Sequence, residues 1–209
     1  MAFKEKFKKY WKKFWFLLWK DDSIKGWLFS ITFLFIFIKF IFFPILSLIT
    51  GTALPLAIVE SCSMYHQGNL LSNTNDWYIS HETKYNNLNI SQEQFKEFSL
   101  ERGFNKGDIL FVLRANPSKL KLGDVIIFNA GQNNPVIHRI IKIEIIDGKK
   151  VFSTIGDNNN GQISFEKSIL ENQLVGKAVF RLVPYAGWGK LIFFEHNKPA
   201  NERGFCKAN

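Results

Sequence analysis

The sequence predicts a mostly β domain carried on an N-terminal transmembrane helix, with a partly helical insertion. Three observations predict it. One apolar run near the N-terminus is long enough to cross a bilayer. The rest of the chain breaks into short runs rich in Val, Ile and Phe, separated by Gly, Asn, Pro and Asp. One polar, Asn-rich stretch interrupts those runs. A length of 209 residues allows one ordinary domain plus appendages.

The net charge is +9, from 27 Lys and Arg against 18 Asp and Glu. Seven lysines and one glutamate fall in residues 1–20, so that segment carries +6 and the other 189 residues only +3. The basicity belongs to a tail, which excludes a nucleic-acid-binding face spread over the domain. Within the tail, Phe3, Phe7, Trp11, Phe14 and Leu18 recur at helical spacing with lysines opposite. Residues 1–22 are read as a basic amphipathic helix on the cytoplasmic side, suited to anionic membrane lipids.

From Trp27 to Ile49 there are 23 residues, and only Ser30, Thr32, Lys39, Pro44 and Ser47 are not apolar. Lys39 costs ~2.5–3.5 kcal/mol on insertion scales, which the apolar majority outweighs at a few tenths each. The run is too long and too aromatic for a cleaved signal peptide. Residues 23–50 are therefore expected to anchor the chain as a single pass, in the cell membrane or the endoplasmic reticulum membrane. Lysines stay on the cytoplasmic side, which places residues 51–209 on the extracytoplasmic or lumenal face.

Expected strands are Leu56–Glu60, Ile109–Arg114, Val125–Phe128, Val136–Ile146, Lys150–Thr154 and Val175–Val183, with a hairpin turn at Asp147-Gly148. Asp108 and Asp124 each sit in a turn feeding a strand and read as turn formers. Residues 67–103 form the insertion, with one helix expected from Ser91, a capping residue, to Arg102. Asn89-Ile90-Ser91 is a glycosylation sequon, a pattern common by chance.

Chemistry centres on Ser61-Cys62-Ser63-Met64, directly after the first strand. A serine hydroxyl needs a base within hydrogen-bond reach to attack a carbonyl. His138 lies in the alternating strand Val136–Ile140, on the face of Val136 and Ile140. A histidine so placed is by default a hydrogen-bonded core residue more often than a base. Asp157 follows in Gly156-Asp157-Asn158-Asn159, which alone reads as a turn. No CxxC or HExxH spacing suggests a metal, and no cofactor is implied.

Taken together, these segments resemble the type I signal peptidases, of the branch found in archaea, in the endoplasmic reticulum and in some spore-forming bacteria. Ser61-Cys62-Ser63-Met64 is similar to that family's Ser-x-Ser-Met box. Gly103–Phe111, Gly123–Phe128, Val136–Ile140 and Gly156–Asn159 resemble its later boxes, and Val175–Gly187 its last strand and Pro-Tyr turn. The resemblance covers roughly residues 54–66 and 103–189. It implies a signal-peptidase-like β domain that removes signal peptides from exported preproteins, with accessory subunits or the translocon as further partners. It makes Ser63 the nucleophile, Ser61 a contributor to the oxyanion hole with the Ser63 N–H, and His138 the base; Arg139 is orienting. Imidazole titrates near neutrality and suits such a base.

The sequence departs from the family pattern at three places. His66 stands where the family usually has proline, and Cys62 where it has glycine. The insertion of ~36 residues separates boxes normally adjacent. The acid usually found five or six residues after the Gly-Asp is replaced by Gln162 and Ile163, which leaves Asp157 as the third catalytic member and Glu166 as an outside candidate. The sequence neither pairs nor separates Cys62 and Cys206: proximity to the nucleophile makes a structural disulfide less attractive, and Cys62 itself is a lesser rival nucleophile. The competing expectation is a catalytically inactive, membrane-tethered β domain that binds exported segments or a partner subunit.

Overall fold

A computed structural model describes residues 2–68 and 74–207; residues 69–73 of the expected insertion lie outside the described residues. The chain forms two compact units, residues 1–49 and 50–209. In the first, α1 (Ala2–Trp19) folds against α2 (Ile24–Phe37) through Phe14, which packs edge-on against Phe29 and Phe33. Ser23 caps α2 by accepting from the Gly26 N–H.

The helix then widens to π geometry over Ile38–Phe42, around Lys39, before α3 (Phe43–Thr50). Pro44 supplies a reason: it cannot donate to Phe40 and its ring crowds that carbonyl, and a wider turn relieves both. Ile24–Thr50 is long and apolar enough to cross a membrane, and none of its most apolar window is buried within protein.

The second unit is a six-stranded antiparallel sheet of β1 (Leu56–Ile58), β2 (Ile109–Leu113), β3 (Val125–Phe128), β4 (Val136–Ile146), β5 (Lys149–Ile155) and β6 (Leu174–Val183). The spatial order is β1-β2-β6-β3-β4-β5. Strands occur where the apolar runs predict them, with ends moved by a residue or two. Asp147 and Gly148 join β4 to β5 with φ of +50° and +76°, as a two-residue type I′ turn requires. Asp108 accepts from the Asn105 and Tyr185 N–H groups, and Asp124 from that of Lys121, so both carboxylates close turns.

Alternation along β4 decides the layout of the domain. Ile140 packs with Ile126, Phe128, Phe152 and Ile169 on one face. Ile141 packs on the other, with Ile155 and the aromatic side chains of the insertion. The insertion is thus a second layer over the β4–β5 end of the sheet rather than an appendage. It contributes α4 (Thr74–Asn86), which the sequence reading missed, and α5 (Gln92–Lys96), shorter than the expected Ser91–Arg102 helix. Ser91 caps α5 in a reciprocal capping box with Gln94. The two ends of the excursion meet where the Phe104 N–H donates to Met64 O. Gly103 permits that closure, since a Cβ there would stand 2.3 Å from Met64 O.

Phe95 is 1% exposed and contacts Trp77, Tyr78, Tyr85 and Phe98. Phe95→Ala is expected to cost ~3–5 kcal/mol and to lower the melting temperature of the whole β domain. A melt that leaves the β domain unchanged would show the insertion to be energetically separate.

Candidate active site

Ser61–Met64 forms a turn straight after β1, and Met64 anchors it. The thioether is 1% exposed and lies in one apolar cluster with Val59, Leu110 and Val125, against which Ile137 packs. Ser63 Oγ is 3.1 Å from Ser61 Oγ. The next residue after Ile137 is His138, so the serine turn and the histidine strand share a core.

The loop that follows β5 binds this turn. Asn158 N–H donates to Ser63 O at 2.8 Å, Asn158 Nδ2 donates to Cys62 O at 3.1 Å, and the Asp157 N–H meets Met64 Sδ at 3.4 Å. Holding Cys62 O fixes the peptide unit that ends in the Ser63 N–H and aims that N–H the opposite way. A donor so fixed is what an oxyanion site needs. Arg139 pairs with Ile155 across β4 and β5, which sets Gly156 at the register position opposite His138. A Cβ on Gly156 would lie 2.7 Å from Ser63 O, so glycine lets the loop close on the serine turn.

His138 and Arg139 are consecutive on a strand and so leave opposite faces. His138 Nδ1 is hydrogen-bonded to Glu166 Oε1. Glu166 is fully buried in the short turn Ser164–Glu166, and its other oxygen accepts from the Ile163 N–H at 2.7 Å. With Nδ1–H donating to the carboxylate, Nε2 holds the lone pair, the tautomer a general base requires.

Arg139 takes Asp157 to the other face. Its Nε and one terminal nitrogen donate to the carboxylate at 2.9 and 2.7 Å, and its remaining N–H groups reach Ser99 O, Gly123 O and Leu100 O. All five guanidinium donors are placed, and the group also lies over the rings of Phe95 and Phe98. The same carboxylate accepts from Tyr85 Oη at 2.9 Å and from His66 Nε2 at 2.9 Å. The structure therefore keeps Ser61 and Ser63 in contact, sets Gly156, opposite His138 in the sheet, against Ser63 O, and gives Asp157 to Arg139; the acid on the histidine is Glu166. Gln162, at the place of the missing acid, donates to Thr154 O instead.

Burial by itself would raise the Asp157 carboxyl, but the Arg139 guanidinium, with hydrogen bonds from His66 and Arg139, holds it well below the usual carboxylate range. Burial pushes His66 down against the pull of Asp157, so His66 is a neutral ring donating Nε2–H. It stacks on Trp77 with ring centroids 3.4 Å apart, which gives the His66 departure a structural reason. Burial also pushes the Tyr85 phenol well up, keeping it a donor.

Cys62 and Cys206 form a disulfide across 144 residues, a pairing that the sequence left open. The reason lies in the C-terminal segment, which returns over this loop: Phe205 packs on Trp188, and Lys106 Nζ binds Glu195 and Glu202 O. A bonded sulfur offers no thiolate, which removes Cys62 as a rival nucleophile. Among the described residues no group of three or more His, Cys, Asp or Glu side chains could hold a metal ion.

An antiparallel β domain after an apolar helix, with a serine turn bound by a Gly-Asp-Asn loop that follows the partner of the histidine strand, has the architecture expected of a type I signal peptidase. The chain is 29% identical over 106 residues to the signal peptidase complex catalytic subunit SEC11C of Homo sapiens, an alignment covering 48% of this chain and 55% of that one. It is 27% identical over 104 residues to the catalytic subunit SEC11 of Pyricularia oryzae and 28% over 109 to that of Sclerotinia sclerotiorum, covering 47% of this chain and 60% of each of theirs. No protein-family model matches. The chain spans little more than half the length of these curated relatives, and within that span it is similar to proteins named as signal peptidase complex catalytic subunits.

The two carboxylates predict separable defects. Glu166→Gln keeps its shape and its turn, so the fold should survive while any histidine-dependent turnover falls ~10³–10⁴-fold. Asp157→Asn strips the buried Arg139 of its counter-charge and should cost ~3–5 kcal/mol in thermal or denaturant melts. Because the folded Asp157 carboxyl titrates below its unfolded value, its contribution is complete above pH ~4 and is lost as pH falls from there. An acid melt of Asp157→Asn should lack that loss.

Proposed function

We propose that the chain is a membrane-bound serine endopeptidase that removes signal peptides from exported preproteins. The observation that supports this reading is the Glu166 carboxylate on Nδ1 of His138, on a strand that shares an apolar cluster with the Ser61–Met64 turn through Ile137 and Met64. Ser63 Oγ attacks the carbonyl carbon of the scissile bond while His138 Nε2 takes its proton. Glu166 holds the imidazole in that tautomer and stabilises the imidazolium. The developing oxyanion is received by the Ser63 N–H and the Ser61 hydroxyl. His138 then gives the proton to the leaving amine, and water, deprotonated by the same ring, releases the acyl group and restores Ser63.

The apolar helix Ile24–Thr50 would hold the enzyme in the bilayer that also holds its substrate's apolar segment, which raises their effective concentration. The basic α1 would keep the N-terminus cytoplasmic and the β domain on the extracytoplasmic or lumenal side. Membrane lipids are partners in this reading, and the relatives' name makes further subunits of a complex a reasonable expectation. Glu166 favours this reading over an inactive binding domain, because its carboxylate on Nδ1 leaves Nε2 of His138 with the lone pair a base needs.

The test is cleavage of a signal-bearing precursor by the full-length protein in detergent or liposomes. Wild type should cut at one site, and Ser63→Ala and His138→Ala should lower the rate by at least ~10³-fold. Equal cutting by Ser63→Ala would sink the assignment, and tight binding without cutting by wild type would favour the binding domain.

A further inference from the structure

The ammonium group of Lys84, on α4 of the insertion, donates to three backbone carbonyls of one turn: Gly156 O at 3.0 Å, Asp157 O at 2.8 Å and Asn159 O at 2.8 Å. An ammonium has three N–H donors, and all three are used. The peptide units it holds are the ones that grip the nucleophile turn. The unit whose carbonyl is Asp157 O carries the Asn158 N–H, which donates to Ser63 O. The unit whose carbonyl is Gly156 O carries the Asp157 N–H, which meets Met64 Sδ. Each unit runs from the cation at its oxygen to the serine turn at its N–H. A cation at one end of such a chain polarises the bond at the other.

We propose that Lys84 is a positioning residue for Ser63: the insertion delivers a fixed cation that orients the Gly156–Asn159 turn, and that turn in its turn sets the backbone of the nucleophile. This assignment gives the insertion a task in catalysis and rests on the peptidase reading. The environment supports it. Asp157, Arg139 and Glu166 are the charged groups acting on Lys84, and the Tyr85 ring lies 5.3 Å from the ammonium. Burial lowers the lysine to about 8, partly opposed by Asp157 and Glu166, so the cation is lost within an accessible pH range. A neutral amine keeps two donors and turns a lone pair toward the third carbonyl, which loosens the turn.

The experiment uses the full-length protein in detergent, wild type and Lys84→Met, with a signal-bearing precursor. The wild-type kcat/KM should fall as pH rises through about 8, whereas Lys84→Met should be slower by ~10- to 100-fold at neutral pH and show no descending limb there. A second reading needs no turnover: amide hydrogen exchange at Asn158 should quicken ~10-fold or more in Lys84→Met while the β3 and β4 core amides keep their protection. Unchanged exchange at Asn158 would overturn the proposal whether or not the protein cleaves. A variant that is slow but keeps the alkaline limb would also overturn it, since that is what general destabilisation gives. Failure of wild type to cleave, with the exchange difference present, would instead count against the peptidase reading alone.

Discussion

The site is organised by one buried ion pair. Arg139 is fully buried with all five donors used, and the carboxylate of Asp157 is its counter-charge. A guanidinium and a carboxylate taken out of water cost several kcal/mol each unless geometry and further hydrogen bonds offset the loss. Here Tyr85, His66 and three backbone carbonyls complete the set, and those partners come from the insertion, the serine turn and the β3 approach. The pair therefore joins segments far apart in the chain. Neither charge could be removed singly without leaving the other unpaired in the interior.

From that pair the division of labour on β4 follows. A strand sends neighbouring side chains to opposite faces, so an Asp157 bound to Arg139 is on the wrong side for His138. The histidine face must find its acid elsewhere, and Glu166, capping its own short turn, supplies it. The Gly-Asp-Asn loop consequently acts through its backbone and through Asn158, gripping the serine turn, rather than through its carboxylate.

Much of this was legible in the sequence. Short apolar runs rich in Val, Ile and Phe marked all six strands, Asp147-Gly148 marked its hairpin, and the spaced boxes singled out Ser61, Ser63 and His138 as candidates. The exchange of roles between Asp157 and Glu166 was not, because it depends on which side chain Arg139 engages across the fold. Helix α4 was missed for a different reason. Its sequence is polar overall and lacks a broad apolar stripe; the usable signal was Trp77, His81 and Tyr85 at spacings of four. Lysine beside tyrosine on a polar helix reads as a solvated face, and nothing local shows that Lys84 meets three carbonyls some seventy residues away. The Cys62–Cys206 bond was likewise hidden, since only the path of the C-terminal segment brings the sulfurs together.

The central claim is that Ser63 is acylated in a site whose histidine is held by Glu166. The most direct measurement is acid-quenched reaction of the full-length protein with a signal-bearing precursor, followed by peptide mapping for a covalent adduct. The account predicts an acyl group on the Ser63 peptide that is absent in Ser63→Ala and that turns over with product formation. Cleavage proceeding with the adduct on another residue, or with the same rate in Ser63→Ala and no adduct, would contradict it.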